Sequence, residues 1–186
     1  MRQYNTSWLL ALFLCLPGCL AMGVEDSNDP DTLIKTGYYS MAQLGRKLPA
    51  SRAFLKALDI YTERGDRHGQ AEAWLGIGQL LKHGPASVGP VDPRLEGMEK
   101  AYPYQQAIAI WKKDHAYMDV AAAYFGMANA HVKSNPARAC QDYKASLRYY
   151  QKGIENGQVF RRLRNPNFDD FPSAVKAFQK KYCAHS

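Results

Sequence analysis

The sequence predicts an all-α fold, a short solenoid of about three helical hairpins closed by a capping helix. Three observations carry this. A register recurs as Tyr38-Tyr39-Ser40-Met41-Ala42-Gln43, Trp74-Leu75-Gly76-Ile77-Gly78-Gln79 and Tyr124-Phe125-Gly126-Met127-Ala128-Asn129. Each copy reads aromatic, apolar, small, apolar, small, carboxamide, and such self-similarity marks stacked repeats. A second register follows each first one: Ala50…Phe54…Ala57-Leu58, Lys100…Tyr104…Ala107-Ile108 and Ala139…Tyr143…Ser146-Leu147. Finally, no stretch alternates apolar and polar residues over a useful strand length.

The chain begins with one charge, Arg2, and an apolar run from Trp8 to Leu16. That run is too short for a spanning helix, which needs about 20 residues. It has the proportions of a signal-peptide core. It leads into Leu16-Pro17-Gly18-Cys19, which resembles the lipobox of bacterial lipoproteins. The resemblance implies a signal peptide over 1–18, cleavage before Cys19, diacylglycerol on its sulfur and an acyl chain such as palmitate on its amine. Leu20, in place of an aspartate, implies the outer membrane, with the domain facing the periplasm. Residues 19–34 then form the lipidated N-terminus and a polar, acidic tether.

Residues 35–153 hold the repeats, at about 35–66, 67–114 and 115–153, with an insertion at 83–99 rich in Gly and Pro. The spacing from Ala57 to Trp74 equals that from Ala107 to Tyr124, so the link between successive pairs is constant. Asn135-Pro136 supplies a cap and a first-turn proline, and Pro49 and Pro103 sit similarly. Residues 154–186 form a C-terminal extension. In it Val175, Phe178 and Tyr182 share one helical face, and Asp169 and Asp170 precede the start. A solenoid needs such a terminal cap.

The pattern around Trp74, Ile77, Gly78 and Leu81, followed by Ala-x3-aromatic-x2-small, resembles the tetratricopeptide repeat. Lys100, Gly45 and His131 depart from the family pattern, and the proline that often ends these repeats is missing. The resemblance implies a right-handed solenoid whose first helices line a concave, peptide-binding face. Carried over position by position, it gives three rungs. The first is apolar: Tyr39, Leu75 and Phe125. The second is carboxamide: Gln43, Gln79 and Asn129. The third is basic: Arg46 and Lys47, Lys82, and Lys133. Carboxamides both donate to and accept from peptide backbone. Lysines at the rim favour an acidic residue or a carboxylate. The competing reading makes the apolar row core, or fills the groove with the C-terminal helix. Gly76 and Gly78 each cost a helix about 1 kcal/mol relative to alanine. Gly78 is expected to allow close helix packing, and Gly76 to leave room on the groove side.

The formal net charge is +7. The excess is modest and diffuse, favouring acidic partners or anionic headgroups over nucleic acid. Arg161, Arg162 and Arg164 form a further basic cluster, as a headgroup contact or a solvated loop. Cys140 and Cys183 remain after processing, as a disulfide in an oxidising compartment or as two buried thiols. The histidines at 68, 83, 115, 131 and 185 show no metal-ligand spacing, and no phosphate loop or nucleophile elbow occurs. Cys140 with His131 is the one thiol pair on paper. The chain therefore reads as a non-enzyme with no cofactor beyond the lipid on Cys19. The expected role is a periplasmic adaptor for an envelope, secretion or pilus complex. The alternatives are an immunity lipoprotein blocking an antibacterial effector, a regulator of a cell-wall enzyme, or self-assembly through the solenoid ends.

Overall fold

A computed structural model of the chain describes residues 27–43, 45–82, 89–161 and 170–183. Among these residues lie α1 (Pro30–Met41), α2 (Lys47–Glu63), α3 (Arg67–Lys82), α4 (Tyr102–Lys113), α5 (Tyr117–His131), α6 (Pro136–Glu155) and α7 (Phe171–Cys183). They include no strand. Each helix packs on the next in chain order, and α1, α3 and α5 also touch in turn. The architecture is all-α and solenoid-like. No described helix is long and apolar enough to cross a membrane. Cys19 lies outside the described residues.

Helix starts follow from side-chain caps. Asp29 accepts from the Thr32 N–H at 3.0 Å, with Pro30 in the first turn. Helix α1 therefore begins within the segment read as tether. Asp66 accepts from Gly69 N–H at 2.9 Å, Asn135 from Arg138 N–H at 3.1 Å, and Asp170 from Ser173 N–H at 2.7 Å. Each satisfies a donor that the first helical turn leaves unpaired.

The ends of α2, α4 and α6 share one device. A backbone N–H reaches back five residues: Asp66 to Tyr61, Ala116 to Trp111 and Gln158 to Gly153, each at 2.9 Å. The preceding residue takes a left-handed conformation, with φ of 67° at Gly65, 55° at His115 and 70° at Gly157. This is the hydrogen-bond pattern of a Schellman C-cap. It explains the constant link length between pairs.

Packing centres on aromatic rings wedged between successive inner helices. Phe54 of α2 is fully buried between α1 and α3. A Cβ on Gly37 would lie 2.6 Å from the ring, and one on Gly76 would lie 2.6 Å from its Cδ1. Tyr104 of α4 repeats this between α3 and α5. A Cβ on either Gly78 or Gly126 would stand 2.9 Å from its Cζ. Tyr143 of α6 is the third ring, and its hydroxyl donates to Asn129 Oδ1 at 2.8 Å. Gly76 and Gly78 of α3 thus both serve packing, and Gly76 faces Phe54 rather than a ligand groove.

Helix α7 covers the last hairpin. Phe171 and Val175 are buried against Ala121, Ala128, Ala139 and Tyr143. Phe178 and Tyr182 continue the same face. Cys183 is bonded to Cys140 of α6, with Cα atoms 5.7 Å apart. The disulfide closes both other readings of Cys140, as a buried thiol and as a partner for His131. His131 instead pairs its Nδ1 with the buried Asp142 carboxylate at 2.8 Å. The described part of the insertion is docked. Asp92 N–H donates to Ser51 Oγ at 2.9 Å, Arg94 forks onto Asp59, and Leu95 is buried in the first core cluster.

Candidate functional site: an aromatic cavity beside a basic cleft

The described rungs do not form one open groove. Tyr39 is 67% exposed and lines no cavity beside the other rung residues. Leu75 is 2% exposed. Phe125 lies under α7, its ring centroid 5.8 Å from Phe171 and 5.3 Å from Phe178. The C-terminal helix therefore closes the apolar rung at its third-repeat end. Two adjoining spaces remain, and Lys82 borders both.

The first is a cavity of about 480 Å³. Helix α3 supplies Leu75, Gln79 and Lys82, and α5 supplies Ala122, Phe125 and Gly126. Tyr38 of α1 closes one side, taking the place expected of Tyr39. Phe160 and Phe171 close another, stacked at 4.2 Å between centroids. Tyr104 also lines it, having passed between Gly78 and Gly126. Its hydroxyl is buried without a hydrogen-bond partner among the described residues. Burial pushes the ionisation of this phenol well above its ordinary range, with the nearby Tyr38 adding to the shift. Burial alone holds the Lys82 ammonium below the usual lysine range.

The second space is a cleft of about 420 Å³. Lys82, Lys100 and Lys133 converge on it with Asn129, Phe178 and Tyr182. Lys47 stands near: burial lowers its ammonium, and the positive charge of Lys100 lowers it further. Lys100 and Lys133 also border a smaller neighbouring hollow with Glu99 and His131. Asn129 spends both ends of its amide inside the fold, donating to Phe125 O at 2.9 Å and accepting from Tyr143. Gln43 is engaged by Arg46, which donates to its Oε1 at 2.9 Å. Neither Gln43 nor Lys47 lines the cavity or the cleft.

Of the expected site residues, the structure thus brings together Leu75, Gln79, Lys82, Phe125, Asn129 and Lys133. Sequence reasoning missed Tyr38, Lys100, Tyr104, Phe160 and Phe171. Lys100 carried a signal, because it broke the small-residue register of its helix. Tyr104 carried another, as a hydroxylated ring aligned with Phe54. Phe160 and Phe171 carried none, since their approach depends on how α7 folds back.

A third space of about 660 Å³ opens beside the α4–α5 link, lined in part by His68, Asp114, His115, Asp119 and Arg161. Gln158 stitches it, donating to His115 O at 2.7 Å and accepting from Met118 N–H at 3.2 Å. Arg162 and Arg164 lie outside the described residues. No His, Cys, Asp and Glu group among the described residues could hold a metal ion. No protein-family model, curated protein or solved structure matches the chain.

Proposed function

We propose that this chain is a lipid-anchored adaptor of the bacterial envelope, attached through Cys19 and facing the periplasm. Its repeats bind an acidic segment of a partner protein, and the basic cleft is the contact. One observation carries the reading: Lys82, Lys100 and Lys133 are gathered from three different parts of the chain onto one cleft, with Lys47 close by. Gathering like charges disfavours the charged forms, and beside the cleft burial first, then the charge of Lys100, lowers the Lys47 ammonium. An acidic ligand relieves that repulsion and gains charge-assisted hydrogen bonds. Tyr182 and Phe178 supply apolar area beside the charges. The lipobox resemblance supports the anchor and the location, and the repeat pattern supports a protein ligand.

The test is affinity capture from detergent-solubilised envelope. The wild-type chain should retain a partner in a salt-sensitive way. The variant Lys82→Glu/Lys100→Glu/Lys133→Glu, folded by circular dichroism, should not. Undiminished capture by that variant would exclude the cleft. Cys19→Ser should lose membrane attachment, and a variant still carrying lipid in the membrane fraction would remove the anchor from the account.

A further inference from the structure

The aromatic cavity beside the cleft has features that a peptide contact does not use. It is bordered by α3, α5 and the Phe160–Phe171 stack, and its volume of about 480 Å³ suits a small molecule. Its walls are dominated by rings: Tyr38, Tyr104, Phe125, Phe160 and Phe171. Rings offer both faces and edges to an aromatic guest. Against this apolar background stand two polar groups, one of which finds no partner among the described residues. Tyr104 is fully buried, and its hydroxyl finds no partner. Lys82 stands half-buried where the cavity meets the cleft, and burial lowers its ammonium. A buried donor without an acceptor is costly, and a partly desolvated ammonium favours an anion beside it. One ligand atom set answers both: an anionic oxygen pair that accepts from the Tyr104 hydroxyl and the Lys82 ammonium. Gln79, between Leu75 and Lys82 on the same helix face, can donate its amide to the same group.

We infer that this cavity is a binding site for a small aromatic carboxylate, its ring held among Phe125, Phe160 and Phe171 and its carboxylate held by Lys82 and Tyr104. The site goes beyond partner binding at the basic cleft and does not depend on it. The two touch only at Lys82, so the bound carboxylate neutralises one of the cleft's charges.

The probe is 3-phenylpropanoate, with 3-phenylpropanamide as its neutral counterpart, titrated into the purified full chain by calorimetry and by NMR. The acid should bind saturably and shift the ring resonances of Phe125 and Phe171. The amide should bind about ten-fold or more weakly, the loss expected for one charge-assisted contact. Lys82→Met keeps the apolar stem and should remove the preference for acid over amide. Tyr104→Phe should weaken the acid about three- to ten-fold while leaving the helical signal intact. Absence of saturable binding, equal binding of acid and amide, or an undiminished acid preference in Lys82→Met would each overturn the inference. Partner capture is read separately with the wild-type chain, and none of these three outcomes bears on it.

Discussion

Gly76→Ala is the sharpest test of the packing. Helix propensity alone makes it stabilising, by about 1 kcal/mol. The structure reverses the sign. The new Cβ would lie 2.6 Å from Cδ1 and 2.9 Å from Cζ of Phe54. Phe54 is fully buried and is backed by Gly37, where a Cβ would also come within 2.6 Å of the ring. The ring therefore has no direction in which to retreat, and α1 and α3 must part. Overpacking of this kind costs about 1–3 kcal/mol, and the close contact of the same ring with Gly37 places it at about 3. The net loss is about 2 kcal/mol, or roughly 4–8 °C in Tm for a domain of this size. Urea unfolding followed by circular dichroism gives the difference. Phe54→Leu should rescue part of it, with a coupling of about 1 kcal/mol or more in the double-mutant cycle. Gly78→Ala should cost less, since the ring it meets is no nearer than 2.9 Å. If Gly76→Ala matches or exceeds wild-type stability, the wedged-ring account of the solenoid is wrong.

Three further outcomes follow from other contacts. Replacing Cys140 and Cys183 by serine opens a loop spanning 43 residues of sequence separation, for a loss of up to about 4 kcal/mol. Hydrogen exchange should show α7 opening first, and unchanged protection there would contradict the tie. In alkali, Tyr61, Tyr104 and Tyr143 share one behaviour, because burial raises each phenol above its ordinary ionisation range. The protonated form is the one the fold favours, so stability is complete below about pH 10 and is lost as pH rises through the folded values. Tyrosinate absorbance should therefore rise in two stages, the second coinciding with loss of helix; a single early stage with the helices intact would refute this. His115→Gly, at a left-handed φ of 55°, should raise stability by about 0.5–1 kcal/mol, the left-handed cost of about 1–2 less glycine's entropy loss. The gain is reduced by loss of the His115 Nδ1 contact to the Tyr117 hydroxyl at 2.9 Å, and a clear loss of stability would show that this contact governs the turn.

Most of the fold was legible because the repeat stores it redundantly. Phe54, Tyr104 and Tyr143 align in the second register, and all three are the rings that order the stack. Asn135-Pro136 announced its helix by local capping and Asp169-Asp170 announced theirs by acidic charge at the start, and neither signal needs tertiary context. Asp29-Pro30 carries the same signal, but in an acidic stretch it reads as tether. The first repeat was less legible. Adjacent helical residues point about 100° apart, so a one-residue choice between Tyr38 and Tyr39 decides between cavity wall and solvent. Gly76 was misassigned because sequence alone does not show which face of α3 meets Phe54. The cavity depended on long-range closure: Phe171 follows Phe125 by many residues, and only the return of α7 joins them. The Cys140–Cys183 disulfide was one of two readings open in the sequence, and the return of α7 decides it.

The central claim is that partner contact occurs at the lysine cleft. Photo-crosslinking residues placed at 100 and 133, and at the exposed Lys144 of α6 as a control, test it directly in intact envelope. The account predicts one shared adduct from positions 100 and 133, lost in Lys82→Glu, and none from position 144. An adduct formed equally from position 144, or indifferent to Lys82→Glu, would contradict it.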